Sequence, residues 1–161
     1  MSGVGEQGRR GEIEQVRVRP IVVPVIDGVD ARKAVEAAAH EAADSGREVL
    51  LLAVVEMPKS MPKGFAEYAR TEWRGEEPRW LYVRLAGEQL LKPHIEYLKE
   101  RGMKCEYLVE TPESVGHALT YLPVEPAKVI VQLVTNKKAK KAVGRLIGAL
   151  GALKVPILIT P

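Results

Sequence analysis

The sequence predicts an α/β fold: a doubly wound five-stranded parallel sheet flanked by helices, Rossmann-like in layout. Three observations carry this. Short runs of Val, Ile and Leu recur with little polar alternation, as strands covered on both faces require. Helical periodicity fills the stretches between them, in regular succession. The chain has 161 residues, 46% of them apolar and 28% charged, which suits a single globular domain with a real core.

The strands are Ile21 to Ile26 (IVVPVI), Val49 to Val55 (VLLLAVV), Lys104 to Val109 (KCEYLV), Val129 to Val134 (VIVQLV) and Val155 to Thr160 (VPILIT). The first helix starts at Asp30, an N-cap type, and stops at Gly46. The second runs from about Arg79 to Arg101 and stops at Gly102. Leu81, Leu85, Leu91, Ile95 and Leu98 give it an apolar face, and Pro93 inside it predicts a kink or a break. The third opens on Thr111-Pro112, a cap followed by proline, and reaches about Leu122. The fourth spans about Lys137 to Leu153. Chirality makes the crossovers right-handed. Met57 to Pro78, with Phe65 and Trp73, reads as one long irregular connection, of the length that serves as a lid, a partner contact or a plain surface excursion.

Residues 1–15 are rich in glycine and charge and have no apolar stretch. They read as a flexible tail ahead of a domain over 16–161, and not as a secretory signal. No apolar run approaches the roughly 20 residues that span a bilayer. With one cysteine, Cys105, and three scattered histidines, His40, His94 and His117, neither an internal disulfide nor a metal site is expected. A reducing, cytoplasmic setting fits best.

The net charge of +3 is unevenly spread. Residues 126–161 hold seven basic and no acidic side chains, and the rest holds 17 basic and 21 acidic. The whole-chain value is too small to argue for nucleic acid. The cluster Lys137, Lys138, Lys140, Lys141 and Arg145 is a local signal.

In an open parallel sheet, ligands bind beyond the carboxyl ends of the strands, where strand order reverses. Asp27-Gly28, Glu56, Glu110-Thr111 and Thr135-Asn136 stand at those ends. They suit a ribose or another polar ligand, and equally suit turns and caps. No phosphate-binding glycine fingerprint and no nucleophile elbow is present. Cys105 lies in a strand and reads as a buried, inert thiol. The sequence therefore offers no catalytic set.

The fourth helix is strongly amphipathic. Ala139, Ala142, Val143, Leu146, Ile147, Leu150 and Leu153 fall within an arc of about 140°. Its first turns carry four lysines, against the macrodipole. Either they are solvated or an anion offsets them. Gly144, Gly148 and Gly151 form a strip that fits either a close backbone approach or an irregular helix.

Taken together, these pieces resemble the universal stress protein family over roughly Val18 to Pro161. IVVPVIDGVDARKAVEAAAHEA resembles its first strand, aspartate loop and first helix, and VLLLAVVEMP its second strand. TPESVGHALTYLPVEPAKVIVQLVT is similar to its third helix and fourth strand, and KVPILITP to its last strand. The resemblance implies a cytoplasmic stress-response protein, non-enzymatic and homodimeric through the last strand, Val155 to Thr160. An uncovered apolar edge points the same way. Family members that bind ATP carry G-x2-G-x9-G-[ST] after the fourth strand. Here Thr135 stands where the first glycine would be. Gly148 and Gly151 have the x2 spacing, but Pro161 takes the third glycine's place. The adenosine side matches better: Pro24 and Asp27 resemble the family's Pro and Asp, and Val54 a position whose backbone holds the base.

The leading expectation is thus a dimeric regulatory protein acting through protein partners, with no cofactor. The alternative is an adenine-nucleotide binder, for ATP or AMP, with Asp27 and Val54 at adenosine and Lys137, Lys138 and Arg145 at phosphates. RNA binding by the basic helix is weaker still, because no aromatics interleave with its lysines.

Overall fold

The computed structural model describes residues 18–62, 64–72, 77–135, 137–151 and 154–161, and of Arg70, Glu72 and Lys138 only the main chain. The tail expected over 1–15, Trp73, Asn136, Leu153 and the Lys138 side chain lie outside the described residues.

Among the described residues, five strands and five helices follow one another as β1 (Ile21–Ile26), α1 (Arg32–Ser45), β2 (Val49–Val54), α2 (Phe65–Glu72), α3 (Pro78–Glu100), β3 (Cys105–Glu110), α4 (Val115–Thr120), β4 (Lys128–Gln132), α5 (Lys137–Gly151) and β5 (Ile157–Thr160). All strand pairs are parallel, in the order β3-β2-β1-β4-β5. This is the doubly wound sheet the apolar runs predict. The order reverses between β1 and β4, which makes that boundary the switch point.

Alternation along the strands sorts the core into two layers. Ile21, Val23, Val25, Val49, Leu51 and Ala53 pack under α1 and α3, against Val35, Leu91 and Leu98. Val22, Ile26, Leu50, Leu52 and Val54 pack under α4 and α5, against Val115, Leu119, Leu146 and Leu150. On α1 the buried positions are Ala34, Val35, Ala38, Ala39 and Ala42. Such small side chains let that helix lie close to the sheet. Truncating a fully buried leucine such as Leu91 or Leu98 costs about 2–5 kcal/mol.

Pro24 lies inside β1, the central strand. Ile21 and Asp27 give their N–H groups to Glu48 and Val54 on the β2 side. By alternation, positions 22, 24 and 26 face β4. The donor that proline lacks is therefore one that would have bridged to β4. The β1–β4 register covers only Ile21↔Lys128 and Val22↔Val129, whereas β1–β2 registers six pairs.

Several boundaries differ from the sequence expectation. β2 ends at Val54, β3 is shifted to Cys105–Glu110, β4 is Lys128–Gln132 and β5 starts at Ile157. The stretch Met57 to Pro78 is not wholly irregular, since it contains α2. That helix is anchored by Phe65, whose ring meets Tyr82 of α3 edge-on at 5.6 Å. Asp30 is not the N-cap of α1. Ala31 takes that place without a side-chain cap, and Asp30 Oδ1 accepts the N–H of Arg32 at 3.1 Å. α3 runs unbroken through Pro93, held on both sides by buried Leu91, His94 and Leu98. Glu77 caps its start, its Oε2 accepting the Trp80 N–H at 3.1 Å. The regular part of α4 begins only at Val115. The turn before it carries the cap expected of Thr111, whose Oγ1 accepts the Ser114 N–H at 3.2 Å. Gly46 and Gly102, at φ +68° and +67°, end α1 and α3 as anticipated. No helix among the described residues is long and apolar enough to cross a membrane.

Candidate functional site

β1 ends in a tight turn. The Val29 N–H closes it on the Ile26 carbonyl at 3.0 Å, and Gly28 adopts φ +85°, a conformation that glycine accepts without strain. The turn leaves Asp27 exposed at the carboxyl end of the central strand. β2 runs out beside it, through Val54 and Val55 to Glu56. The Val54 carbonyl accepts the Asp27 N–H at 3.2 Å, so β1 already engages the main chain there.

Two adjoining cavities open over these strand ends. The inner one, about 210 Å³, is lined by Ile26, Asp27, Gly28, Val54, Pro112 and Ala139, among others. The outer one, about 760 Å³, adds Met57, Pro58 and Lys59 from the β2–α2 connection, Tyr82 from α3, Glu113 from the turn before α4, and Lys141 and Arg145 from α5. Asp27, Glu56 and Ala142 belong to both. Their combined volume is in the range of small-molecule sites. A separate hollow of about 110 Å³ at the amino ends of β2 and β3 is mostly apolar, with Glu48 and Glu106 but no cation among its described lining.

The charged lining has structure. Arg145 Nη1 meets Glu113 Oε1 at 3.2 Å. Lys141 precedes Arg145 by one helical turn, so both fall on one face of α5. Nearby, burial raises the Glu110 carboxyl above its ordinary value, although the Ser114 hydroxyl donates to it at 3.4 Å. Among the described residues, no group of three or more His, Cys, Asp and Glu side chains could hold a metal ion.

Of the residues singled out from sequence, Asp27, Gly28, Val54, Glu56, Lys141 and Arg145 come together at the cleft. Pro24 is buried inside β1 and lines neither cavity. Thr135 and Lys137 are exposed and also line neither. Lys59, Tyr82 and Glu113 join the lining without having been anticipated. The i, i+4 spacing of Lys141 and Arg145 was the one local signal that could have paired them. Lys59 and Glu113 reach the cleft through crossovers that no local pattern encodes.

The β4–α5 connection occupies only residues 133–136 and contains no glycine. Gly148 and Gly151 lie in the last turns of α5, exposed, with nothing within 4 Å of an added Cβ. They form part of a helix and not of a loop around a ligand.

No protein-family model matches the sequence, and no curated protein does. Solved structures do. A protein from the universal stress protein family of Burkholderia pseudomallei superposes with a TM-score of 0.54, at 22% identity, over 87% of this chain and 95% of its own. A universal stress protein from Archaeoglobus fulgidus in complex with dAMP gives a TM-score of 0.54 at 14% identity, over 89% of this chain and 98% of its own. A universal stress protein in complex with cAMP gives 0.50 at 16% identity, over 88% and 95%. With its five-stranded parallel sheet flanked by helices, this chain has the fold of the universal stress proteins.

Proposed function

We propose that this chain is a non-enzymatic protein of the universal stress type, cytoplasmic, whose cleft binds an adenine nucleotide through side-chain cations. The observation that carries the reading is the convergence of Asp27, Lys59, Lys141 and Arg145 on one cavity over the strand ends. A carboxylate at the end of the central strand suits ribose hydroxyls. Cations on the far wall suit a phosphate as point charges and as a guanidinium fork. The glycine-free β4–α5 connection offers no main-chain cradle of the kind that holds a triphosphate in ATP-binding members. The dAMP and cAMP complexes of similarly folded proteins support a nucleotide as the ligand class. The described lining holds no serine, threonine, cysteine or histidine, and the reading is one of binding and signalling. Titration calorimetry with AMP tests it. The expected outcome is saturable binding that weakens several-fold in Asp27→Ala, and an absence of binding at millimolar nucleotide refutes it.

A second reading gives the chain its effect as a homodimer working through protein partners. One observation favours it: Leu158 and Ile159 on the edge strand β5 are 46% and 51% exposed. An exposed apolar edge is a template for pairing. Light scattering should report a dimer, and Ile159→Glu should split it. Ile157 is a poorer probe because it packs against the core. A monomeric wild type counts against this reading.

A further inference from the structure

We infer that Glu113 is a resident stand-in for the ligand's phosphate, and that the cleft takes a nucleoside monophosphate in preference to a triphosphate. The inference rests on the nucleotide reading above. Arg145 is the cation best shaped for a phosphate, yet its Nη1 is already turned to Glu113 Oε1 at 3.2 Å. Glu113 lines the same cavity as Arg145 and Lys141. A guanidinium presents the same donors to carboxylate and phosphate oxygens, so the carboxylate occupies a position that an incoming phosphate needs.

The turn that carries Glu113 is pinned. Ser114 Oγ accepts the Thr111 N–H at 2.9 Å, and Thr111 Oγ1 accepts the Ser114 N–H at 3.2 Å. The backbone of Glu113 therefore stays in place while its side chain is free to rotate away. The ion pair is weak enough to exchange, because its side chains are 48% and 65% exposed and such pairs are easily replaced.

Charge sets the ligand class. Among the described lining residues, Lys59, Lys141 and Arg145 are balanced by Asp27, Glu56 and Glu113. Once Glu113 leaves, three cations face two carboxylates, which leaves only a small positive excess for the ligand. A monophosphate brings roughly two negative charges. A triphosphate brings more, and no glycine amides are present in the β4–α5 connection to share it.

The test is calorimetric titration of AMP, ATP and adenosine into the wild type and Glu113→Gln, at low and at physiological salt. AMP should bind the wild type more tightly than ATP does. Glu113→Gln should tighten AMP by about fivefold at low salt and less at high salt, and leave adenosine unchanged. Glu113→Ala should shift AMP in the same direction, which separates the charge effect from any effect of the amide. If AMP binds but both variants leave its affinity unchanged, the stand-in role of Glu113 is overturned. ATP binding more tightly than AMP overturns the ligand class. If none of the three ligands binds any of the proteins, the nucleotide reading itself is refuted.

Discussion

Gln132 Oε1 accepts the backbone N–H of Ala34 at 3.0 Å, joining the end of β4 to the first turn of α1 across 98 residues of sequence. Ala31, at the N-cap position, has no side chain for this task. The end of β4 thus satisfies one of the free N–H groups at the start of α1. Gln132→Ala removes that acceptor and should cost about 1 kcal/mol, lowering the melting temperature by about 2–4 °C. Gln132→Glu keeps the acceptor and adds charge of the sign a helix start favours, so it should recover most of the loss. Equal melting of the wild type and Gln132→Ala would show that the bond contributes nothing.

Gly87 on α3 is held by its neighbour across the interface. A Cβ at that position would lie 2.3 and 2.8 Å from the two methyl carbons of Val109 on β3. Valine is stiff and cannot swing aside. Gly87→Ala gains about 1 kcal/mol of helix propensity but overpacks a tight contact, at a cost of about 1–3 kcal/mol. A net loss of up to about 2 kcal/mol is expected in urea denaturation. Adding Val109→Ala should make the two changes non-additive. A stabilised Gly87→Ala would mean that helix and strand are further apart than described.

His94 is 8% exposed and lines a shallow hollow together with Arg32, Val35, Glu36 and Tyr97. Burial holds its imidazole below the ordinary value of 6.5. The nearby Asp30 carboxylate pulls it up, and Arg32 pushes it further down. The unfolded chain therefore takes up a proton that the folded chain resists. Stability should be flat above about pH 7 and fall as pH drops below about 6.5, levelling off once pH is beneath the lowered value. Denaturant midpoints measured between about pH 7 and 5 should show this slope, and His94→Gln should flatten it. An unchanged slope in the variant would assign it to other groups.

Burial, and next the neighbouring Glu106 carboxylate, push the Cys105 thiol up to about 11. Little thiolate is present at pH 8. A higher thiol pKa partly compensates by making the thiolate more nucleophilic. Alkylation by iodoacetamide should still be at least about tenfold slower than for free cysteine, and should speed up in denaturant. Labelling at the free-cysteine rate in the native protein would contradict this placement.

The fold was legible where the determinants were local. Runs such as IVVPVI and VLLLAV are apolar on both faces because helices cover both faces of the sheet. Gly46 and Gly102 mark helix ends by a backbone preference that any reader of the sequence can apply. Helix α2 was hidden because Pro58, Pro62 and Gly64 punctuate the stretch just before it, and its anchor, Phe65 on Tyr82, is a tertiary contact. Local sequence points to Asp30, the nearest acceptor, as the cap of α1, whereas the bond to Ala34 comes from Gln132 far along the chain. The cleft was half legible. Asp27 and Glu56 follow from the rule about strand ends, Val54 from the family resemblance, and Arg145 from the basic helix. Lys59 and Glu113 are placed by crossovers, and Lys137, one full turn ahead of Lys141 on the same face of α5, stands outside the cavity lining.

Pro24 divides the sheet into unequal plates. Three strands, β3, β2 and β1, are laced along their full length, and the pair β4 and β5 is fastened to them chiefly at the amino end. Small thermal excursions should open this molecule along that line first, in the manner of a zipper left undone at one end. Deuterium should reach the amides of residues 130 and 132, which face β1, sooner than those of residues 51–54. The undone end is the one that borders the cleft, so a ligand seated there would close the gap and tie the two plates into one.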